Sequence, residues 1–383
     1  MTPAARFAAA IDILDRFLAG EPAEAALTRW ARGSRFAGSG DRAGVRDLVY
    51  DSLRRLRSRA ALGGAMTGRS IMLGACRELG QNPAMFFNGE GFAPAPLTID
   101  EISAGHTPTP SEACDLPDWL LGRWQAALGA DADRIAQAMR ERAPVWLRVN
   151  AMQANVQDAM GALIEEDILV EPSDLLPYAL RITQGERRLA NSRAYLDGLV
   201  ELQDLSAQLA CAALPLEGRI LDLCAGGGGK SLAMAGRGAK HITAHDIDSA
   251  RMADLPTRAA RAKARIRIAG ASALNREWDL VIADVPCSGS GTWRRTPAAK
   301  WRLTQDDLGR LVETQAAILG RAADLVRPGG HVAYMTCSLL AEENGDQIAR
   351  FLAARPEFEQ ISTQRFTPLN ASDGFYLALL RKR

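Results

Sequence analysis

The sequence predicts a multidomain protein whose carboxyl-terminal half is an α/β domain with a mostly parallel sheet. Apolar strand patterns alternate there with helical stretches, at about 219–224, 241–246, 265–269, 279–284, 331–337 and 374–380. Strands that alternate with helices form parallel sheets with helices on both faces. A glycine-rich turn follows the first of these strands, and helical patterns fill the amino-terminal end. We therefore expect a Rossmann-like domain, preceded by a small α+β segment and an all-α module.

Composition limits the class of protein. The 383 residues suffice for two or three domains, and the net charge is only +1. No apolar run approaches the ~20 residues that a membrane span needs, and residues 1–20 mix charged with apolar side chains, unlike a signal peptide. The six cysteines lack Cys-x-x-Cys spacing, so we expect neither a metal site nor a disulfide framework. The sequence thus predicts a cytoplasmic protein without membrane association.

An all-helical module is predicted over 1–115, ending in an irregular linker that contains several prolines. Apolar residues at helical spacing mark one helix from Phe7 to Leu18 and another from Val45 to Leu56. Residues 1–70 carry twelve arginines against seven acidic residues. A basic helical face can bind RNA or can simply be solvated, and charge alone favours the solvated face.

A small α+β segment is predicted next, over 116–205. Helical patterns begin at Leu116 and at Ala132, residues 145–150 alternate like a strand, and another helical pattern follows at 156–166. The Rossmann-like domain then occupies 206–383.

A glycine loop follows the first strand of that domain. Residues 220–231 read Ile-Leu-Asp-Leu-Cys-Ala-Gly-Gly-Gly-Gly-Lys-Ser, which predicts a strand, a turn and the start of a helix. Such a loop brings the backbone close to a ligand, and the helix N-terminus favours anionic groups. A phosphate-binding P-loop would need glycine where Cys224 stands. Dinucleotide binding stays open, although the first two glycines of its fingerprint are displaced.

S-adenosylmethionine (SAM) is the third ligand that such a loop can hold. Asp246 follows the loop by about twenty residues, the spacing of an acid that binds ribose hydroxyls, although an aspartate there can also cap a helix. The predicted cofactor residues are Asp246 and those of the loop, namely Cys224, Ala225, Gly226, Gly227, Gly228, Gly229 and Lys230; the role of Asp284 follows from the resemblance described below.

The stretch from 279 to 301 brings a carboxylate and a thiol to the end of a buried strand. Asp284 and Cys287 follow the apolar run 280–283, at the place where open α/β sheets bind ligands. Cys337 ends the strand pattern at 331–337 and should lie at the same edge. A thiol beside a methyl donor fits methylation of carbon 5 of a pyrimidine. A thiolate that adds to carbon 6 makes carbon 5 nucleophilic, and later loss of the carbon 5 proton frees the enzyme.

These motifs resemble the Sun/Fmu family of SAM-dependent RNA cytosine-5 methyltransferases. The resemblance covers about 140–383 and rests on Asp284-Val-Pro-Cys-Ser-Gly-Ser-Gly, Thr336-Cys-Ser, Glu342-Glu343-Asn344, Leu221-Asp-Leu-Cys-Ala with Gly-Gly-Lys, and Asp373-Gly-Phe-Tyr-Leu-Ala. DNA cytosine-5 enzymes use only the Pro-Cys motif, so the second motif, Thr-Cys-Ser, separates the two groups. The amino-terminal helices, particularly residues 41–50, resemble the NusB-like domain of bacterial members that act on small-subunit ribosomal RNA.

The resemblance implies a role for each reactive residue. Cys337 would be the nucleophile that adds to cytosine, and Cys287 would assist release of the methylated product. Asp284 would lie near both SAM and the base, where it stabilises the protonated ring nitrogen 3. Residues 224–230 would hold the amino-acid end of SAM, with Asp246 on the ribose.

The expected partner is RNA, in particular ribosomal RNA. Arg294, Arg295 and Lys300 would contact its phosphates, which position RNA without specifying sequence. The sequence leaves the oligomeric state open and favours a monomer.

A non-catalytic RNA-binding or ribosome-assembly factor is the alternative. Two departures from the family motivate it: Gly226-Gly227 replaces Ala-Pro, and residues 270–272 offer no acid after the third strand.

Overall fold

The computed structural model describes residues 1–274 and 277–383, which form two compact units. The first unit comprises Met1–Arg142 and Trp293–Leu303, and the second comprises Ala143–Thr292 and Thr304–Arg383. Within the described residues, no helix is both long enough and apolar enough to cross a membrane.

Helices and strands follow one another in this order. The helices are α1 (Pro3–Leu18), α2 (Ala23–Gly33), α3 (Ser39–Arg54), α4 (Leu56–Gly63), α5 (Gly68–Glu78), α6 (Ile99–Ser103), α7 (Pro110–Ala113), α8 (Asp118–Leu128), α9 (Ala132–Ala138), α10 (Val156–Ile164), α11 (Arg193–Leu196), α12 (Leu205–Ala212), α13 (Gly229–Gly236), α14 (Leu255–Arg261), α15 (Pro297–Arg302), α16 (Gln305–Leu325) and α17 (Gly345–Ala354). The strands are β1 (Val145–Val149), β2 (Leu169–Pro172), β3 (Ala179–Gln184), β4 (Val200–Leu202), β5 (Arg219–Asp222), β6 (His241–Ala244), β7 (Ile266–Ile268), β8 (Trp278–Asp284), β9 (Val326–Thr336), β10 (Phe358–Phe366) and β11 (Phe375–Lys382).

The first unit consists of helices. Thr2 caps α1 by accepting a hydrogen bond from the backbone of Ala5. α1 packs against α3 and α5, and its apolar stripe joins theirs in a core that includes Ile13, Val49 and Ile71. The helices predicted around 7–18 and 45–56 are present. α8 and α9 also belong to this unit, although the prediction grouped them with the segment from 116 to 205.

The smaller sheet of the second unit is antiparallel, with the strand order β2-β3-β1-β4. Leu147 of β1 is fully buried, and Leu163 of α10 packs in the same core. The alternation predicted at 145–150 corresponds to β1.

The larger sheet has seven strands in the order β10-β11-β9-β8-β5-β6-β7. Strands β5 to β9 are parallel to their neighbours, whereas β11 is antiparallel to β9 and to β10. Leu221, Val281 and Val332 lie in the central strands and are fully buried, because helices cover the parallel part of the sheet. The strand order reverses between β5 and β8, and such a switch point is where open α/β sheets bind ligands.

Six of these seven strands correspond to the predicted ones, and β10 is the strand that the sequence does not predict. Its burial alternates weakly, with Phe358 buried and most other residues half-buried or exposed. A polar strand at the edge of a sheet lacks the continuous apolar run that marked the others.

Candidate active site

Two thiols lie side by side at the carboxyl edge of the larger sheet. Cys287 follows β8 and Cys337 follows β9, and these strands are parallel neighbours with Asp284 opposite Met335. The Sγ atoms of the two cysteines are 3.3 Å apart. The structure therefore brings together the two cysteines that the sequence places at one sheet edge.

The two thiols share a hydrogen bond, which shifts their pKa values in opposite directions. The hydrogen bond from Cys287 lowers the pKa of the Cys337 thiol, although burial acts in the opposite direction. The same hydrogen bond, together with burial, raises the pKa of Cys287. The positive charge of Lys230 also lowers the pKa of Cys337, whereas the negative charge of Glu343 raises that of Cys287. Cys337 is therefore the thiol that loses its proton more readily.

A buried carboxylate, that of Glu343, holds the residue that follows each thiol. The backbone amide of Ser288 donates to its Oε1 at 2.8 Å, and Nε2 of Gln315 donates to the same oxygen at 2.9 Å. The hydroxyls of Ser288 and Ser338 donate to Oε2. Glu343 is fully buried, and no ion pair to it is found in the described part of the chain. These four hydrogen-bond donors compensate the negative charge of Glu343 in place of a cation, because a buried charge must be compensated.

Asn344 fixes the backbone on both sides of Cys337. Its side-chain nitrogen donates to the carbonyl oxygen of Ser338 at 2.9 Å, and its side-chain oxygen accepts from the hydroxyl of Thr336. The hydroxyl of Thr336 also accepts from the backbone amide of Ser338 at 3.2 Å. These bonds restrain the position of the Cys337 thiol.

Two glycines allow the loop after Cys287 to lie against the start of β11. The amide of Gly291 donates to the carbonyl of Cys337 at 2.9 Å, and the amide of Gly374 donates to the carbonyl of Gly291 at 2.8 Å. A Cβ atom at Gly291 would lie 2.1 Å from the carbonyl oxygen of Gly374. The backbone contact therefore requires glycine at this position.

Lys230 connects the glycine loop with the thiols. It forms an ion pair with Asp284, and its Nζ atom lies 5.4 Å from the ring centroid of Phe375. Burial lowers the pKa of Lys230, but Asp284 outweighs burial, so the pKa is raised overall. Lys230 is therefore charged at neutral pH and can stabilise an anion beside it.

The glycine loop joins β5 to α13. Gly226 and Gly228 have φ angles of +49° and +80°, in the left-handed region that glycine adopts without strain. Oδ2 of Asp246 accepts from the amide of Gly226 at 2.9 Å and also pairs with Arg251 at 3.3 Å. Asp246 therefore lies against the loop, as the predicted cofactor site requires.

Cys224 begins this loop, and burial raises the pKa of its thiol to about 12. It is therefore a neutral thiol, which would line the predicted cofactor site without acting as a nucleophile.

Asp222 is a polar residue that the sequence reasoning missed. Its Oδ2 accepts from the hydroxyl of Ser231 at 2.7 Å, while no hydrogen-bond partner is found for the buried Oδ1 among the described residues. Burial raises its pKa to about 6. An orphaned oxygen at the start of the glycine loop fits a ligand that donates hydrogen bonds, as the ammonium group of SAM does. The sequence feature that could have identified Asp222 is its position as the acid of Leu-Asp-Leu-Cys, at the end of β5.

The predicted RNA contacts need a correction. Lys300 is only 4% exposed and Arg294 only 6% exposed. Nζ of Lys300 donates to the carbonyl of Arg54 at 3.3 Å, and Nε of Arg54 donates to the carbonyl of Arg294 at 2.7 Å. Both residues are buried because the segment Trp293–Leu303 folds into the helical first unit. Neither can contact phosphate from the surface in this conformation, whereas Arg295 is exposed.

Aromatic packing explains why this segment leaves the second unit. The ring of Trp293 stacks on that of Trp124 with 6.3 Å between centroids, and Nε1 of Trp301 donates to the carbonyl of Leu53 at 2.7 Å. Burial lowers the pKa of Lys300 to about 8.

Across residues 1–274 and 277–383, no group of His, Cys, Asp and Glu is arranged so that it could hold a metal ion.

Comparison with known proteins relates most of the chain to one family. Residues 212–381 match the family described as 16S rRNA methyltransferase RsmB/F, and residues 116–187 match the RsmF/B-like ferredoxin-like domain. Proteins named ribosomal RNA small subunit methyltransferase B are similar. Those of Yersinia enterocolitica and Photorhabdus laumondii are 33% and 32% identical over 287 residues. Each comparison covers 70% of this chain, which spans 66% of the relative's length.

Solved structures share the fold. PH0851 matches with a TM-score of 0.75 at 24% identity, covering 100% of this chain and 99% of that one. NSun6 from Pyrococcus horikoshii, solved with SFG, matches with a TM-score of 0.62 at 18% identity, covering 70% and 98% of the two chains. The predicted α/β methyltransferase fold is therefore confirmed, and the α+β segment contains a ferredoxin-like domain.

Proposed function

The chain belongs to the RsmB/F (Sun/Fmu) family of SAM-dependent rRNA methyltransferases, and we propose that it methylates carbon 5 of a cytosine in small-subunit ribosomal RNA. The observation that carries this proposal is the pair of thiols, with the Sγ atoms of Cys287 and Cys337 3.3 Å apart. A single nucleophilic cysteine would suffice for many reactions. Two thiols at one sheet edge fit an addition that a second group must later reverse.

Cys337 begins the reaction by adding to carbon 6 of the cytosine. A sulfur–carbon bond forms, the carbon 5–carbon 6 π electrons shift to a carbon 4–carbon 5 double bond, and the carbon 4–nitrogen 3 π electrons pass to ring nitrogen 3, which takes a proton from solvent. Asp284 stabilises that protonated nitrogen, because its carboxylate lies at the same strand end as the thiols. Lys230 pairs with Asp284, and its positive charge lowers the pKa of Cys337.

SAM supplies the methyl group when bound. The residues that would hold it are those of the loop from Cys224 to Lys230, with Asp246 on the ribose. The orphaned oxygen of Asp222 supports this assignment, since a buried acceptor without a partner is costly unless a ligand donates to it.

Release of the product completes the cycle. Solvent takes the carbon 5 proton, its bonding electrons form the carbon 5–carbon 6 double bond, and the sulfur–carbon 6 bond breaks so that Cys337 departs as a thiolate. Cys287 assists this step, because it lies within hydrogen-bond distance of the departing sulfur. Ring nitrogen 3 returns its proton to solvent. The target cytosine must be unpaired or flipped out of its helix, since the thiols are half-buried at the sheet edge.

The test is methylation of unmodified small-subunit RNA with SAM carrying a labelled methyl group. The expected product is 5-methylcytosine. Cys337→Ala should abolish it, whereas Cys287→Ala should accumulate a covalent protein–RNA adduct that shifts on a denaturing gel. Cys114→Ala, a thiol of the helical unit, is the matched control and should methylate normally. Activity or an adduct in Cys337→Ala would show that the roles are assigned wrongly.

The helical first unit is proposed to be the NusB-like, RNA-binding part of the protein. Of the three predicted phosphate contacts, Arg295 is exposed, and we still propose it as a phosphate contact on this surface. Ribosomal RNA as substrate implies that the protein acts in the cytoplasm. Nothing in the site favours the non-catalytic alternative, since both thiols, Lys230 and Asp284 are in place.

A further inference from the structure

A cluster of positive charge lies at the amino-terminal ends of the parallel strands, at the edge of the larger sheet opposite the thiols. Arg219 and His241 begin β5 and β6 and are paired in register, and β7 is the edge strand beside them. A cavity of about 430 Å³ opens there, lined among others by Arg219, Lys240, His241, Arg265, Arg267 and Trp278. We call this cavity the strand-start pocket.

Most cations of the pocket have no carboxylate partner among the residues that the structure describes. Arg219 shares Asp279 with Arg327. Lys240, Arg265 and Arg267 are exposed, and none of them forms an ion pair within the described residues. The sequence explains this excess, because residues 255–274 contain five Arg or Lys and no Asp or Glu.

Two of the five cations in that stretch are neutralised outside the pocket. Arg258 and Arg261 both pair with Glu201, at 3.2 and 2.8 Å. The cations that remain around the pocket repel one another, and a bound anion would offset that repulsion.

Trp278 gives the pocket wall an unused donor. The residue is 4% exposed, and no hydrogen-bond partner for its buried Nε1 is found among the residues that the structure describes. A buried donor left unsatisfied costs about 1–3 kcal/mol. A phosphate oxygen would satisfy this donor and the neighbouring cations together.

We propose that the strand-start pocket binds backbone phosphates of the RNA substrate, away from the reacting cytosine. This inference rests on the proposed function, which supplies the RNA. The cations extend across three adjacent strand starts, a row of about 10 Å, which suits a phosphate backbone better than a single small anion. The pocket offers no exposed aromatic ring on which a base could stack, so it positions RNA without reading its sequence.

The decisive variant is the double change Arg265→Gln with Arg267→Gln in the full chain. Binding of a fluorescent fragment of small-subunit RNA is measured between low and high salt. For single-stranded RNA, each lost phosphate contact should reduce the slope of log K against log salt by about 0.7, so we expect a reduction of about 1.4. Methylation should show a raised KM for RNA and an unchanged kcat.

Two further variants separate binding from folding. Arg321→Gln is the matched control, because Arg321 is exposed on α16 and no ion pair to it is found in the described chain; its slope should equal that of the wild type. Trp278→Phe removes the donor and keeps an apolar ring, so it should weaken RNA binding severalfold, and circular dichroism at the assay temperature checks that this core variant stays folded.

The outcomes separate this inference from the proposed function. Wild-type salt dependence in the double variant, together with normal methylation, overturns the pocket and leaves the function intact. A reduced slope in a protein that forms no 5-methylcytosine supports the pocket and overturns the function. Equal losses in the double variant and in Arg321→Gln would mean that general charge, and no particular pocket, attracts RNA, which also overturns the inference.

Discussion

Replacing Glu343 by glutamine tests whether the buried carboxylate positions the two thiols. Glutamine keeps the size of the side chain and removes its charge. One oxygen can still accept from the amide of Ser288 and from Gln315, whereas the new NH₂ group faces the hydroxyls of Ser288 and Ser338, which must rotate to accept. All four hydrogen bonds to the side chain therefore lose their charge assistance, and the two to the hydroxyls must also reverse direction, so we expect these two to weaken most.

The magnitude follows from those two bonds. A hydrogen bond to a charged group contributes about 1.5–3 kcal/mol and a neutral one about 0.5–1.5 kcal/mol, so the loss is about 1 kcal/mol for each hydroxyl. If the thiols loosen by the same free energy in the transition state, methylation should fall by roughly one to two powers of ten. Glu343→Ala should cost more, because the Ser288 amide would be left buried without an acceptor.

The reactivity of the thiols toward an alkylating agent should move in the opposite direction to methylation activity. The negative charge of Glu343 raises the pKa of both Cys287 and Cys337, so the glutamine variant should react with iodoacetamide at lower pH than the wild type. A purely structural loss would slow methylation without moving that pH profile. Peptide mapping by mass spectrometry gives the alkylation rate of Cys337, and single-turnover experiments give the methylation rate.

Controls make this prediction refutable. Glu313→Gln removes an exposed carboxylate of α16 and should change neither rate. Ser338→Ala removes one donor without altering the charge, so it should slow methylation while the alkylation profile stays in place. Wild-type methylation and a wild-type pH profile in Glu343→Gln would refute the positioning role. A loss of circular dichroism would shift the test to Ser338→Ala.

Three further predictions concern buried groups and a backbone contact. Burial raises the pKa of Asp222 to about 6, so between pH 4 and 6 the folded protein keeps a proton that the unfolded chain has lost. The free energy of unfolding should therefore fall by about 3 kcal/mol from pH 4 to 7. Urea titrations of Asp222→Asn should lack this dependence of the unfolding free energy on pH. Burial lowers the pKa of Lys300 to about 8, so wild-type stability should rise between pH 8 and 10; Lys300→Met should remove that rise and, in urea titrations, add about 2 kcal/mol at pH 7. Gly291→Ala would force a Cβ to 2.1 Å from the carbonyl of Gly374 and should lower methylation at least tenfold, whereas Gly309→Ala, with open space around it, should leave methylation rates unchanged.

The sequence predicts the parallel sheet well because its strands are buried on both faces. An apolar run such as Leu280 to Ala283 has few alternatives to a central strand, and glycine turns mark where such runs end. The meeting of Cys287 with Cys337 follows from the same rule, since neighbouring parallel strands end at one edge. These inferences need only local pattern and topology.

Contacts between distant parts of the chain are what the sequence conceals. Arg294 and Lys300 read as a basic surface run, yet the tryptophans at positions 293 and 301 carry that segment into the helical unit. Glu343 gains its position through Ser288, which lies 55 residues away. No local periodicity encodes such pairings, because each depends on how two complete elements pack.

The two Cys-Ser dipeptides illustrate why roles require three-dimensional neighbours. Cys287-Ser288 and Cys337-Ser338 are alike in sequence, both follow parallel strands, and Glu343 accepts from both serines. What separates them is the hydrogen bond between the two thiols, which lowers the pKa of Cys337 and raises that of Cys287, while the charge of Lys230 also lowers the pKa of Cys337. We infer that the nucleophile is chosen by this asymmetry and not by the motif itself. Lys230→Met should therefore shift alkylation of Cys337 to higher pH more than that of Cys287, and equal shifts would contradict the inference.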